Sequence, residues 1–158
     1  MVGLKTILRE RASQIISLDG DQLRKILQSS GIENYTRLKR LSLAKSYSAL
    51  AKALSEQGFI VIISTISLFK EVHTWNRKNL TPYIEIFLNS PMETLRKRDQ
   101  KGLYSISRKT NLINVAGLDC KIDFPKNSEF MFTEFTQIDI KRVAKYIFNN
   151  SRGMLNED

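Results

Sequence analysis

The run Phe59-Ile60-Val61-Ile62-Ile63 contains no polar residue, and all but Phe59 are β-branched. A strand with one face in water alternates polar and apolar residues. An unbroken apolar run is predicted to be buried on both faces, as inside a parallel sheet. Gly58 precedes it, where a helix C-cap belongs. Ahead of that glycine, Leu43, Tyr47, Leu50, Ala51 and Leu54 recur at helical spacing. A helix that feeds a buried strand is one step of an alternating α/β chain.

The rest of the chain repeats that step. Ile15-Ile16-Ser17-Leu18 reads as a strand that ends in Asp-Gly-Asp. Residues 71–78 are predicted to form a short helix, and residues 83–88 a third strand. Ser90-Pro91-Met92-Glu93 is a capping box with proline at the first helical position. Residues 98–124 have weak periodicity and many polar groups, and read as a long loop or lid. Residues 129–135 read as a last strand. Ile140, Val143, Ala144 and Ile147 mark a final amphipathic helix. The expected fold is α/β, a parallel β-sheet with helices on both faces, in a single domain over 1–150 with a frayed tail over 151–158. Such sheets bind ligands beyond the carboxyl ends of their strands. Polar residues stand there: Asp19 and Asp21 after the first strand, Ser64, Thr65 and Ser67 after the second, Asn89 and Ser90 after the third.

Composition narrows the partner. No apolar run approaches the roughly 20 residues of a membrane span, and no signal-peptide pattern opens the sequence, so a cytoplasmic location is expected. Cys120 is the only cysteine, which leaves no internal disulfide. The net charge of +9 asks for an anionic partner. Charge alone leaves a nucleotide-handling enzyme and a nucleic-acid binder level. The basic residues are spread along the chain, without the dense cluster and interleaved aromatics of an RNA-binding arm. A small phosphorylated molecule is therefore the expected partner, with no nucleic acid and no membrane. His73, the only histidine, has no neighbouring carboxylate or cysteine with which to hold zinc. Trp75 reads as a packing anchor.

Leu18-Asp19-Gly20-Asp21-Gln22-Leu23-Arg24 holds the densest chemistry. A carboxylate at a strand end can orient or deprotonate a hydroxyl, or hold Mg²⁺ through water. An arginine one helical turn later can clamp an anion. Taken alone, the same residues read first as a turn glycine, a helix-capping Asp21 and a solvated arginine. Arg98-Asp99-Gln100-Lys101-Gly102-Leu103-Tyr104 suits a lid that closes over phosphates, or a basic helix end. Asn114-Val115-Ala116-Gly117-Leu118-Asp119, followed by Asp123-Phe124-Pro125, is by itself a turn.

In order and spacing, these segments resemble adenylylsulfate kinase, a P-loop kinase family that moves the γ-phosphoryl of ATP to the ribose 3′-hydroxyl of adenylylsulfate. The family shows LDGDN-x-R, GF-x-x-x-x-R, a helix ending AG, FISP, RDPKGLY and NFTGID. This chain has LDGDQLR at 18–24, NYTRLKR at 34–40, Gly58 after the helix, TISL at 65–68, RDQKGLY at 98–104 and NVAGLD at 114–119. The resemblance implies ATP and Mg²⁺ as cofactors, a small-molecule nucleotide as substrate and a homodimer as the common state. It places Asp21 near the acceptor hydroxyl and the metal, with Asp19 behind it. Arg24 and Arg40 would contact acceptor anions, and Tyr35 would stack on the acceptor base. Ser67, Asn114 and Val115 would line the acceptor pocket. Lys101 would meet the acceptor and the transferring phosphoryl, and Asp119 would anchor the lid.

The departures from the family are as informative. A phosphate loop needs G-x-x-x-x-G-K-[ST]. Here Gly3-Leu4-Lys5-Thr6 is the only counterpart, so Gly3, Lys5 and Thr6 are the implied ATP-binding residues of an incomplete loop. The first strand has no counterpart. In P-loop kinases that strand lies mid-sheet, so its loss predicts a central slot with unpaired backbone on both sides. From Lys5 to Asp19 the spacing leaves too little chain for a full helix, a turn and a strand. An interruption between Met1 and Arg11 is expected, with a non-catalytic nucleotide-binding homologue as the other reading. On the acceptor side, Val115 replaces a second stacking phenylalanine. Leu43, Lys45 and Ser46 replace the family's Asn and two Arg, and Leu68 replaces its Pro. Adenylylsulfate is the default acceptor. Relatives with WNR-x-N, here Trp75-Asn76-Arg77, and a helix start like Leu43-Ala44-Lys45-Ser46-Tyr47-Ser48 also act on cytidine diphosphoramidate, which is the alternative.

Overall fold

A computed structural model of the chain describes residues 2–9, 14–27, 36–98 and 122–150. Helix α1, Val2–Arg9, leads to strand β1, Ile15–Asp19, and helix α2, Gly20–Ile26. Helix α3, Arg37–Ser55, begins earlier than the apolar spacing predicts, because Thr36 caps it: Lys39 N donates to Thr36 Oγ1 at 3.4 Å. Past its end, Gly58 sits at φ 87°, the left-handed conformation that glycine adopts without strain. Strand β2, Ile60–Ser64, follows, then helix α4, Lys70–Asn79. Strand β3 is only Ile86–Leu88, shorter than predicted, because the N–H of Glu85 turns to the Glu129 carboxylate at 2.6 Å. Helix α5 spans Met92–Arg98, strand β4 Phe130–Phe132 and helix α6 Gln137–Asn150. Thr136 and Asp139 cap α6 reciprocally, with Asp139 N donating to Thr136 Oγ1 at 3.3 Å and Thr136 N to Asp139 Oδ2 at 2.8 Å.

The parallel α/β architecture is present, divided in two. β1 pairs with β2 in parallel, Ile15 opposite Ile60 through Asp19 opposite Ser64. β3 pairs with β4 in parallel, Ile86 opposite Phe130 through Leu88 opposite Phe132. Among the described residues these are separate two-stranded sheets. One core nevertheless serves both. Leu4, Leu8, Val143 and Ile147 of α1 and α6 meet Ile15, Ile60 and Ile62 of the first pair and Ile86, Phe130 and Phe132 of the second. Leu8 and Val143 are fully buried, and each such side chain contributes about 1.5–3 kcal/mol relative to an exposed one. Strand alternation turns Val61 and Ile63 to the opposite face, where α3 packs on β2.

One expectation is corrected and one is narrowed. Residues 60–64 are half-buried throughout, not sealed on both faces. Among the described residues β2 has a strand neighbour on one side only, so the divided sheet leaves this apolar strand partly open. The expected interruption does not fall within the described part of the start: Val2–Arg9 is one continuous helix, and two turns of helix precede β1. The expected lid falls almost wholly outside the described residues.

Candidate functional site

β1 and β2 end side by side, and the polar groups after them converge. Asp19, extended at φ −98° and ψ 132°, accepts from Asp21 N at 2.9 Å and Gln22 N at 3.1 Å through Oδ1. Asp19 therefore caps α2, the part that a bland reading of the motif gives to Asp21. Ser64 Oγ donates to the other Asp19 oxygen at 3.4 Å, which ties the two strand ends together. Gly20 is buried between them. A Cβ there would lie 3.0 Å from Thr65 Cγ2 and 3.1 Å from the Ser64 carbonyl, so any larger residue would make them give by a few tenths of an ångström.

Asp21 is thereby freed from capping. Its carboxylate pairs with Arg24 one turn along α2, with the side chains 42% and 31% exposed. An ion pair this open is worth little, about 0–1 kcal/mol, so an incoming hydroxyl or anion can replace either partner at small cost. Behind the turn stands Tyr47 of α3, buried, its hydroxyl 3.4 Å from the Gly20 carbonyl. Burial raises the Tyr47 phenol above its ordinary value. Arg24 opposes that rise, and Asp21 and Asp19 add to it.

The loop after β2 forms the other wall. Thr65 Oγ1 and Ser67 Oγ are 2.7 Å apart, and the Ser67 carbonyl accepts from Phe69 N at 2.9 Å. His73 Nε2 lies 2.9 Å from the same carbonyl, which requires the Nε2–H tautomer. Asp123, at the end of the expected lid, fastens the chain to this loop: its N–H donates to Leu68 O at 2.9 Å, and its Oδ2 accepts from Arg37 at 3.2 Å and Lys70 N at 3.3 Å.

Among the residues implied by sequence, Asp19, Asp21 and Arg24 thus share one turn, and Ser67 stands on the adjacent loop. Arg40 is half-buried on the first turn of α3. Gly3 and Thr6 lie on α1, where a Cβ at Gly3 would come within 2.9 Å of Ile140 Cδ1 on α6. Tyr35, Lys101, Asn114 and Val115, and the side chain of Lys5, lie outside the described residues. Gly20 and Ser64, which the sequence places at the strand ends, complete the turn, and Tyr47 and His73 join it without a distinct sequence signal. Tyr47 reads as one more apolar position of its helix, and His73 finds its partner only through the folded loop.

A second polar cluster lies at the opposite, amino ends of β3 and β4. Arg77 of α4 donates to Glu85 at 3.0 Å, to Glu129 at 2.8 Å and to the Asn127 carbonyl. Tyr83 donates to Glu85 at 3.1 Å and accepts from Asn76 at 3.3 Å. Burial pushes the Tyr83 phenol up to about 12. Burial alone would raise the Glu129 carboxyl, but the hydrogen bonds from Arg77 and Glu85 N outweigh it and hold it below the usual carboxylate value. The hydrogen bond to Glu129 raises Arg77 further against the effect of its own burial. Asn76 and Arg77 of the Trp75-Asn76-Arg77 motif are therefore spent on the scaffold.

The turn suits a hard cation. Mg²⁺ is held by one or two carboxylates together with substrate phosphates, and Asp21 offers such an oxygen. Among the described residues no group of three or more His, Cys, Asp or Glu forms a site on protein ligands alone.

Parallel strands flanked by helices, with carboxylates and a cation gathered at the strands' carboxyl ends, define a nucleotide-handling α/β protein. The family model for adenylylsulphate kinase matches residues 2–133. The chain is 41% identical over 119 residues to the cytidine diphosphoramidate kinase of Campylobacter jejuni, covering 75% of this chain and 68% of that one. It is 29% identical over 153 residues to the adenylyl-sulfate kinase of Pseudomonas aeruginosa, covering 93% and 76%. The structure of the Mycobacterium tuberculosis APS kinase CysC in complex with AMPPNP and APS superposes with a TM-score of 0.77 at 26% identity, covering 96% and 87%. The chain belongs to the adenylylsulphate kinase family of P-loop kinases.

Proposed function

We propose that this chain phosphorylates a ribose hydroxyl of cytidine diphosphoramidate, with ATP as donor. The observation that carries this reading is the 41% identity to a relative of that name, against 29–31% for relatives named as adenylyl-sulfate kinases in Pseudomonas aeruginosa and Pyrococcus abyssi. The acceptor-side departures at Leu43, Lys45, Ser46, Leu68 and Val115 support it, because they fall where the family implies recognition of adenine and sulfate. One lost stacking partner weakens a preference for a large base by about 1–3 kcal/mol. Adenylylsulfate is the second reading, favoured by the family model and by the retained Arg24, Arg40 and Asp21.

In this reading Asp21 exchanges Arg24 for the acceptor hydroxyl, orients it and takes its proton. Arg24, Arg40 and Lys101 hold the anionic groups, Tyr35 stacks on the base, and Ser67, Asn114 and Val115 line the pocket. Gly3, Lys5 and Thr6 are the donor-side residues. Bound Mg²⁺ supplies charge neutralisation at the phosphates, and Asp21 is the residue that would hold it through water. Positioning and charge stabilisation account for most of the rate in such transfers.

The test is an acceptor comparison with purified full-length protein and ATP. A kcat/KM for cytidine diphosphoramidate at least tenfold above that for adenylylsulfate is expected. The reverse order replaces the first reading with the second, and turnover of neither defeats both.

A further inference from the structure

We propose that Tyr47 is a positioning residue that fixes the Gly20–Asp21 peptide and so aims the Asp21 carboxylate, an inference that rests on the reading of Asp21 as the group facing the acceptor. The peptide is held at both ends. Its N–H donates to Asp19 Oδ1 at 2.9 Å, and its carbonyl accepts from the Tyr47 hydroxyl at 3.4 Å. Backing supports it from the side, since Gly20 lies so close to Thr65 and the Ser64 carbonyl that no Cβ fits without displacement. Tyr47 is 4% exposed in the middle of α3, the longest described helix, so its hydroxyl is carried on a rigid element. A phenylalanine would fill the same space. The hydroxyl is therefore the part that the packing does not explain, and Gly20 O is the partner it finds.

This arrangement separates two roles on one short motif. Asp19 and Tyr47 hold the turn, and Asp21, released from both, presents its side chain outward with Arg24. It also gives Tyr47-Ser48 a physical place. Ser48 bonds back to Ala44 O at 3.2 Å within the helix, while Tyr47 reaches across to the turn.

The experiment uses the full chain and Tyr47→Phe, with two readouts. Amide hydrogen exchange is followed by NMR at Asp21 and Gln22, with α4 and α6 amides as reference. Steady-state phosphoryl transfer is measured with the preferred acceptor. Losing one hydrogen bond of ordinary strength should speed exchange at Asp21 and Gln22 by about threefold to tenfold and lower kcat by a similar factor. The acceptor KM should stay within twofold, and the reference amides should not change. Unchanged exchange at Asp21 and Gln22 overturns the proposal. So does a general acceleration throughout α3 and its neighbours, which marks a plain packing role. If the wild-type chain turns over neither acceptor, the proposed function fails, and the exchange arm alone decides the role of Tyr47.

Discussion

The two strand pairs use polar residues in opposite ways. The first pair carries them at its carboxyl ends: Asp19, Asp21, Ser64, Ser67. They are joined by long or local contacts, such as the 3.4 Å bond between Ser64 and Asp19 and the open Asp21–Arg24 pair. The second pair carries them at its amino ends, where Arg77, Glu85, Glu129, Tyr83 and Asn76 close on one another, and the Glu85 side chain is only 10% exposed. In a parallel sheet the carboxyl ends face the ligand crevice and the amino ends do not. Charges at the first can be spent on substrate. Charges at the second are satisfied internally and hold α4 to a strand pair that shares one core with its neighbour but, among the described residues, no backbone ladder.

The largest break in that comparison should come from the sealed cluster. Arg77→Ala removes one partner and leaves Glu85 and Glu129 partly buried without their cation. A loss of about 2–3 kcal/mol is expected, less than for a fully buried pair because Arg77 is 32% exposed. For a chain of this size that lowers the melting temperature by roughly 4–10 °C, which calorimetry can check. Amide exchange at Asp21 should not move with it beyond the global loss.

Tyr83 gives the next effect, with a defined pH window. Its folded value, about 12, lies above the ordinary 10.0. The neutral phenol is favoured by the fold, so this contribution is fully present below pH 10 and is lost as pH rises toward 12. That rise corresponds to at most about 2.7 kcal/mol. Denaturation of Tyr83→Phe should show a shallower fall in stability across that window than the wild type. An identical slope would contradict the burial assigned to Tyr83.

Gly20→Ala should have the smallest effect on stability, about 1 kcal/mol, because the Ser64 carbonyl and Thr65 must yield by a few tenths of an ångström. Its effect on turnover should be larger than its effect on stability, which sharpens the contrast between the two ends. Equal losses would argue that the turn is scaffold.

Much of this was legible in the sequence, for stated reasons. β-branched runs and the helical spacing of α3 and α6 announced the elements, and polar residues after the strands announced the site. The division into two strand pairs among the described residues agrees with the open slot expected from the sequence. The start of α3 was missed because Thr36 is followed three residues later by Lys39, not by the Glu or Gln of a capping box. Which of Asp19 and Asp21 caps α2 was not legible, because the two carboxylates are not distinguished by type. Only the backbone shows that Asp19 faces two N–H groups. Tyr47 was invisible because a buried tyrosine on an apolar helix face has the same sequence signature whether or not its hydroxyl finds a partner. Asn76 and Arg77 of the WNR motif, in sequence only a mark of resemblance to a subgroup, are bonded into the scaffold, which the sequence does not show.

The account stands on Asp21 as the working carboxylate of the open end. The direct measurement is transfer of labelled γ-phosphoryl from ATP to cytidine diphosphoramidate and to adenylylsulfate by the wild-type chain and by Asp21→Asn, with melting temperatures recorded for both. The account predicts a labelled nucleotide from the wild type, a loss of at least about a hundredfold in the variant, and closely similar melting temperatures. Undiminished transfer by Asp21→Asn, or no transfer to either acceptor by a folded wild-type chain, would contradict it.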